Sequence, residues 1–291
     1  VPRLFAPILA LTVFAACTAA PGGFPEAQIP GNGAATPSTE DAGEPATVVF
    51  ASGFEEGATA EANGWDTVRL QTGPEQPESR WAISSEVARS GEASASFTAW
   101  PGTEDREYTC GKASIIEAGL PVDVGDVVEY HVSVLLQEPF VPVHLVDIEC
   151  SGECGLEGGP GVRLILTRDR HLRINWKFRN WMEANGVPVP SELRGDPPKG
   201  SHELPLGEWV DIVVRMELAG DASGVTEVYV NGELDARVEG PNIAPPGFPE
   251  LDRYPQLELG VNCNKVGNSG PATVYVDDVQ VLVVDEGAGV R

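Results

Sequence analysis

Between Arg163 and Arg179 the sequence reads "RLILTRDRHLRINWKFR", which gathers Arg163, Arg168, Arg170, Arg173, Lys177 and Arg179, six of the chain's 19 lysines and arginines. Guanidinium and ammonium groups set close together recognise carboxylate or sulfate through charge-assisted hydrogen bonds. If "HLRINWKFR" is a strand, alternation puts Leu172, Ile174, Trp176 and Phe178 on one face. His171, Arg173, Asn175, Lys177 and Arg179 then share the other, with Trp181 beyond them as a stacking surface. Arg163, Arg173, Lys177, Arg179 and Trp181 are therefore the candidate ligand-binding residues, the ligand being an anionic sugar polymer. The plainer reading is a solvated face paired with acidic neighbours elsewhere.

The cysteines offer a second chemistry. Cys110, Cys150, Cys154 and Cys263 form an even set, apart from Cys17 near the N-terminus. Three disulfide pairings are open to them. Cys150 and Cys154, in "ECSGEC", are near enough to close a small turn, and that pairing leaves Cys110 with Cys263. A zinc site is the weaker reading, since there is no C-x-x-C pair and no histidine at ligand spacing.

The chain has 291 residues and a formal charge of −25, so a nucleic acid partner is not expected. No internal stretch approaches the roughly 20 apolar residues of a spanning helix. The start, "VPRLFAPILALTVFAAC", carries one basic residue and then an apolar run, which reads as a secretory signal over residues 1–17. Its ending resembles the bacterial lipoprotein cleavage box, which would make Cys17 the lipidated residue, with plain secretion as the alternative. A cell-envelope location with contact to a membrane only through that anchor is expected, and an oxidising compartment favours disulfides. Residues 18–46, rich in Pro, Gly, Ala and Thr, read as a flexible tether.

The elements that must position these residues are strands. "TVVFASGF", "EASASFTAW", "GDVVEYHVSVLLQ", "GVRLILT", "HLRINWKF", "EWVDIVVRMEL", "TEVYVNGELDARV", "QLELGVN" and "TVYVDDVQVLVV" have strand-like patterning and are separated by turn residues. "RDR" reads as a tight hairpin, and "NG" at Asn231–Gly232 as a type I′ turn. No helix longer than a turn or two is visible. Residues 180–205 read as a long Pro-rich loop bordering a site. Trp65, Trp81, Trp100 and Trp209 are expected in the core. The sum is one all-β sandwich of two antiparallel sheets over residues 47–286, with a tail at 287–291 and a monomer as the expected state.

Several pieces in order resemble the concanavalin A-like jelly rolls of the polysaccharide lyase group that includes heparin lyase I and glucuronan lyase. They are "FEEG" followed by Trp65, "SSEVARSGEASASFTA", "LGEWVDIVVRMEL", "GVTEVYVNGEL", "LELGV" and "VYVDDVQV". The resemblance implies the fold and a polysaccharide partner; activity belongs to sites grafted on the fold. A lyase of this kind removes a proton beside a uronate carboxylate, neutralises that carboxylate, and protonates the leaving oxygen. The resemblance puts Lys112 at the neutralising position and Asp147 and Glu149 where relatives carry Gln-x-His, with His144 displaced nearby. It puts Asn262 where relatives carry the catalytic tyrosine.

Three expectations follow from that resemblance. The chain is first a carbohydrate-recognising jelly roll, second an active lyase in which Lys112 neutralises and Glu149 or His144 is the base, and third a structural surface lipoprotein. Glu149 needs desolvation to serve as base, and a solvated carboxylate is the simpler reading; His144 likewise reads more simply as a strand or loop residue. Cys110 and Cys263 fall on adjacent strands at the floor of the site, where a bridge would staple it. Glu55 in "FEEG" and Asp277 in "VDDV" match the positions at which related sandwiches clamp a structural Ca²⁺ between first and last strands.

Overall fold

The computed structural model describes residues 46–73, 76–105, 109–149, 161–184, 188–189, 194–243 and 256–284. The strands are β1 (Ala46–Ser52), β2 (Thr67–Gln71), β3 (Arg80–Ser84), β4 (Ser94–Ala99), β5 (Cys110–Glu117), β6 (Val127–Leu136), β7 (Val143–Glu149) and β8 (Gly161–Leu166). They continue with β9 (His171–Trp176), β10 (Lys199–Glu203), β11 (Trp209–Glu217), β12 (Val225–Val230), β13 (Glu233–Glu239), β14 (Gln256–Lys265) and β15 (Ala272–Val284). One helix, α1 (Lys177–Ala184), follows β9. The two sheets are antiparallel, and the expected sandwich is the fold observed.

One sheet runs β13-β12-β11-β6-β15-β4-β3, with β1 also paired to β15; the other runs β10-β9-β8-β7-β14-β5-β2. First and last strands do lie together, Ala46 opposite Val284 and Ser52 opposite Val279. Alternation explains the core. Val210, Ile212, Val214 and Met216 of β11 are buried while Asp211, Val213 and Arg215 face outward at intermediate exposure. Ala93, Ala95, Phe97 and Ala99 point inward as read from the sequence. Gly260 of β14 has φ 118°, and a Cβ there would lie 2.7 Å from the Ala113 carbonyl oxygen and from the Phe97 ring. Only glycine lets β14 pass so close to β5.

The hairpin at Thr167–Arg170 and the turn at Asn231–Gly232 (φ 50° and 83°) form as read. Three expectations are corrected. The strand beginning at His171 stops at Trp176, and Lys177 opens α1. The alternation continues through Phe178, but Lys177 is drawn to carboxylates on β7, and Arg179 and Glu183 make an i,i+4 pair that suits a helix. The long loop at 180–205 contains the end of α1 and the whole of β10. Of the four tryptophans assigned to the core, Trp65 is fully buried, whereas Trp81, Trp100 and Trp209 stay partly exposed.

Candidate functional site

The outward face of the seven-stranded sheet is charged yet mostly buried. A register shift in the β7–β8 ladder between His144 and Val146 lets Leu145 and Val146 both join the core. His144, Asp147 and Glu149 then share the outer face. Asp147 lies opposite Arg163 of β8 on one side and Glu258 of β14 on the other. Arg69 of β2 lies opposite Ser114 of β5. Lys112 of β5 is on the same face, and Lys177 reaches it from the start of α1.

These groups form an ionic lattice. Arg163 Nε and Nη2 donate to Asp147 Oδ1 and Oδ2 at 2.6 and 2.5 Å, a bidentate pair. Lys177 Nζ donates to Asp147 Oδ2 at 3.4 Å and lies against Glu149 Oε2. Glu258 Oε1 accepts from Ser114 Oγ at 2.6 Å, and its Oε2 accepts from Arg69 Nη1 at 3.1 Å. One oxygen from each of Asp147, Glu149 and Glu258 comes within 4.8 Å of the others. Cations stand around all of them, and the Lys177 ammonium touches two, so Lys177 fills the role an ion would have.

Burial pushes the Asp147 carboxyl up, but Arg163 and then Lys177 override it and hold it well below the usual carboxylate range. Burial pulls the Lys177 ammonium down against the opposing pull of Asp147. Lys112 is also lowered by burial, partly offset by Glu258. It has no ion-pair partner among the described residues. His144 is 6% exposed, and both ring nitrogens lack a hydrogen-bond partner among the described residues. Burial first, and Arg163 next, lower it to about 3, so its imidazole is neutral at pH 7. Asn262 donates Nδ2 to the Glu258 carbonyl at 3.1 Å, while its buried Oδ1 has no partner among the described residues.

The basic stripe does not exist as a single solvated face. Arg163 and Lys177 are spent on the lattice. Arg173 is exposed on β9, and Arg179 sits on α1, bonded to Glu183 and to the Gly195 carbonyl at 2.9 Å. Trp181 falls in α1, with its side chain outside what the structure describes. Glu149 is corrected too: it is 2% exposed. Arg69, Ser114 and Glu258 were missed in the sequence. Glu258 had a signal, since alternation in "QLELG" sets it opposite to Leu257 and Leu259. Arg69 had none, because Leu70 beside it is 51% exposed and obscures the strand.

A Cys110–Cys263 disulfide joins β5 to β14, with Cα atoms 4.8 Å apart. Cys263 pairs with His144 in the ladder and Lys112 is two residues from Cys110, so the bridge lies on the same face as the lattice, at its edge. Cys17, Cys150 and Cys154 lie outside the described residues. The two carboxylates of the expected calcium pair are engaged by backbone N–H groups. Asp277 accepts backbone N–H bonds from Arg89, Ser90 and Asp278, and Glu55 Oε1 accepts those of Glu92 and Ala93. Both carboxylates hold the turn before β4, and neither belongs to a cluster of three possible metal ligands among the described residues.

No protein-family model matches the chain, and no curated protein does. Solved structures do. An endo-β-1,4-glucuronan lyase from the fungus Trichoderma reesei superposes with a TM-score of 0.59 at 16% identity, covering 82% of this chain and 97% of that one. An alginate lyase from Aplysia kurodai gives 0.50 at 11% identity, over 81% and 99%. A carbohydrate esterase from the bacteriophage phi24B also gives 0.50 at 11%, over 82% and 100%. Two kinds of chemistry on one scaffold leave the reaction to the residues. At these identities the likeness is one of architecture: the chain has the jelly-roll fold of the polysaccharide lyases.

Proposed function

We propose that this protein recognises an anionic polysaccharide on the outer face of its seven-stranded sheet. One observation carries the reading. In a chain of charge −25, this face sets Arg69, Lys112, Arg163 and Lys177 against Asp147, Glu149 and Glu258, and Lys112 makes no ion pair among the described residues. On the same face stand buried atoms of His144 and Asn262 that have no hydrogen-bond partner among the described residues. Buried polar groups without partners are costly, and a ligand that supplies hydroxyls and a carboxylate removes that cost. Cys110–Cys263 supports an exported location, since such bridges persist in oxidising compartments. Attachment through a lipid on Cys17 belongs to the same proposal.

The lyase reading finds less in the site. The position that the resemblance gives to the catalytic tyrosine holds Asn262, whose amide cannot protonate a leaving oxygen. His144 is neutral, as a base must be, but burial makes it a weak one. The test is retention of polyglucuronate by the full chain on an affinity gel, with the ultraviolet absorbance of unsaturated ends followed in parallel. Retention without new absorbance, weakened about tenfold in Lys112→Ala, is expected, since a charge-assisted bond is worth about 1.5–3 kcal/mol. New absorbance would replace recognition with β-elimination. Retention unchanged in Lys112→Ala would move the ligand off this face.

A further inference from the structure

A polar hollow lies on the outer face of the eight-stranded sheet. It encloses about 370 Å³, within the about 300–1,000 Å³ typical of ligand sites. Ser133 of β6 forms part of its lining, a short side chain beside the longer His131. Ser133 Oγ donates to Asp211 Oδ1 at 2.7 Å. Arg89, from the turn before β4, donates Nη2 to Asp211 Oδ2 at 3.0 Å and Nε to Oδ1 at 3.4 Å, so the pair makes one wall. The opposite wall is an irregularity in β15. Its pairing with β6 shifts between Asp277 and Gln280, and Asp278 there has φ 48°. Bulges re-aim side chains, and left-handed residues other than glycine gather at functional positions. Asp278 lines the hollow, where Ser90 Oγ donates to its Oδ1 at 2.5 Å. Gln280, opposite His131 in the ladder, is exposed.

We propose that this hollow binds an uncharged pyranose residue and so gives the protein a second carbohydrate subsite. Its polar groups are fixed and mixed: the Asp278 and Asp211 carboxylates accept, Arg89 donates, and Gln280 does both. Sugar hydroxyls, which donate and accept, complement such a set. Charge selects against the polymer proposed for the other sheet. Two carboxylates face one guanidinium, which Asp211 already engages, so a uronate or sulfate is repelled here. The Arg89 guanidinium held on Asp211 disfavours a divalent cation in the same hollow.

The test uses saturation-transfer NMR on the full chain with cellohexaose, xylohexaose and mannohexaose, each without charge. Transfer from at least one is expected, insensitive to added salt. It should weaken about fivefold in Gln280→Ala, the worth of one neutral hydrogen bond, and stay unchanged in Lys112→Ala. Gln280 is exposed, so that variant tests contact without disturbing the core. No transfer from any of the three overturns the proposal. So does binding that Lys112→Ala removes while Gln280→Ala spares, or transfer confined to a cationic glucosamine oligomer. Polyglucuronate retention reads the other face independently, so either reading can fail alone.

Discussion

Asp147 carries the heaviest electrostatic load of any residue on the candidate site. It is 2% exposed and holds both Arg163 and Lys177. Removing it strands two buried cations, and breaking a buried pair this way costs about 3–5 kcal/mol. Asp147→Ala should lose that much in urea unfolding; a loss below about 1 kcal/mol would mean water reaches the lattice freely. His144 makes the opposite contribution. Its folded value of about 3 lies below the ordinary imidazole value of 6.5, so the unfolded chain takes up a proton first as pH falls. The penalty is absent above 6.5 and grows down to about 3. His144→Phe should flatten the fall of stability with acid over that window, and an unchanged slope would show that His144 is hydrated. The charges themselves were legible in the sequence, as was Lys112. Their pairing was not, because Asp147, Arg163 and Glu258 meet only through the register of three strands.

At the scale of elements, alternation served where one face of a strand is wet and failed where both are dry. β11 could be read residue by residue. β7 and β14 are buried on both faces, so "VHLVDIE" gives no clean period, and Glu149 looked solvated. The turn from β9 into α1 was hidden for another reason: the apolar alternation outlasts the strand, and only distant carboxylates on β7 end it. Two links tie elements together. Cys110–Cys263 fixes β5 to β14 and adds about 2–4 kcal/mol by limiting the unfolded chain. The other closes the sandwich between its edge strands. His202 of β10 donates its backbone N–H to Asp235 Oδ1 of β13 at 2.7 Å, and its ring nitrogens meet Asp235 and Glu233 at 2.9 and 3.1 Å. Gly200 leaves room for the buried Asp235 carboxylate, and Ser201 Oγ also donates to it. The bonds to Asp235, then Glu233, raise the His202 imidazole. Its support is full below the unfolded value of 6.5 and is lost as pH rises through the folded one. The protection of the β10 amides, measured against their intrinsic base-catalysed exchange, should therefore fall above neutral pH, and His202→Gln should remove that fall. Protection that stays constant with pH would leave the closure to the backbone alone.

Over the whole molecule, order and kind of strand were legible because turn residues punctuate the chain and first and last strands close on each other. Which sheet each strand joins was not, since partners such as β6 and β15 lie far apart in sequence. Net charge works at this scale as well. The chain as a whole, at −25, would repel a polyuronate, while the site proposed on the outer face of the seven-stranded sheet would attract it. These two effects have different ranges. At 0.01 M salt the Debye length is about 30 Å, so the distributed negative charge is felt at the site; at 0.15 M it is about 8 Å and only the local cations remain in view. Near 1 M, at about 3 Å, those are screened too. Affinity for polyglucuronate should therefore rise from low to physiological salt and fall beyond it. Calorimetric titration across that range checks this, and Lys112→Ala should lower the maximum without moving it. A steady decline from the lowest salt would mean that the protein's own acidic surface lies too far from the bound polymer to oppose it.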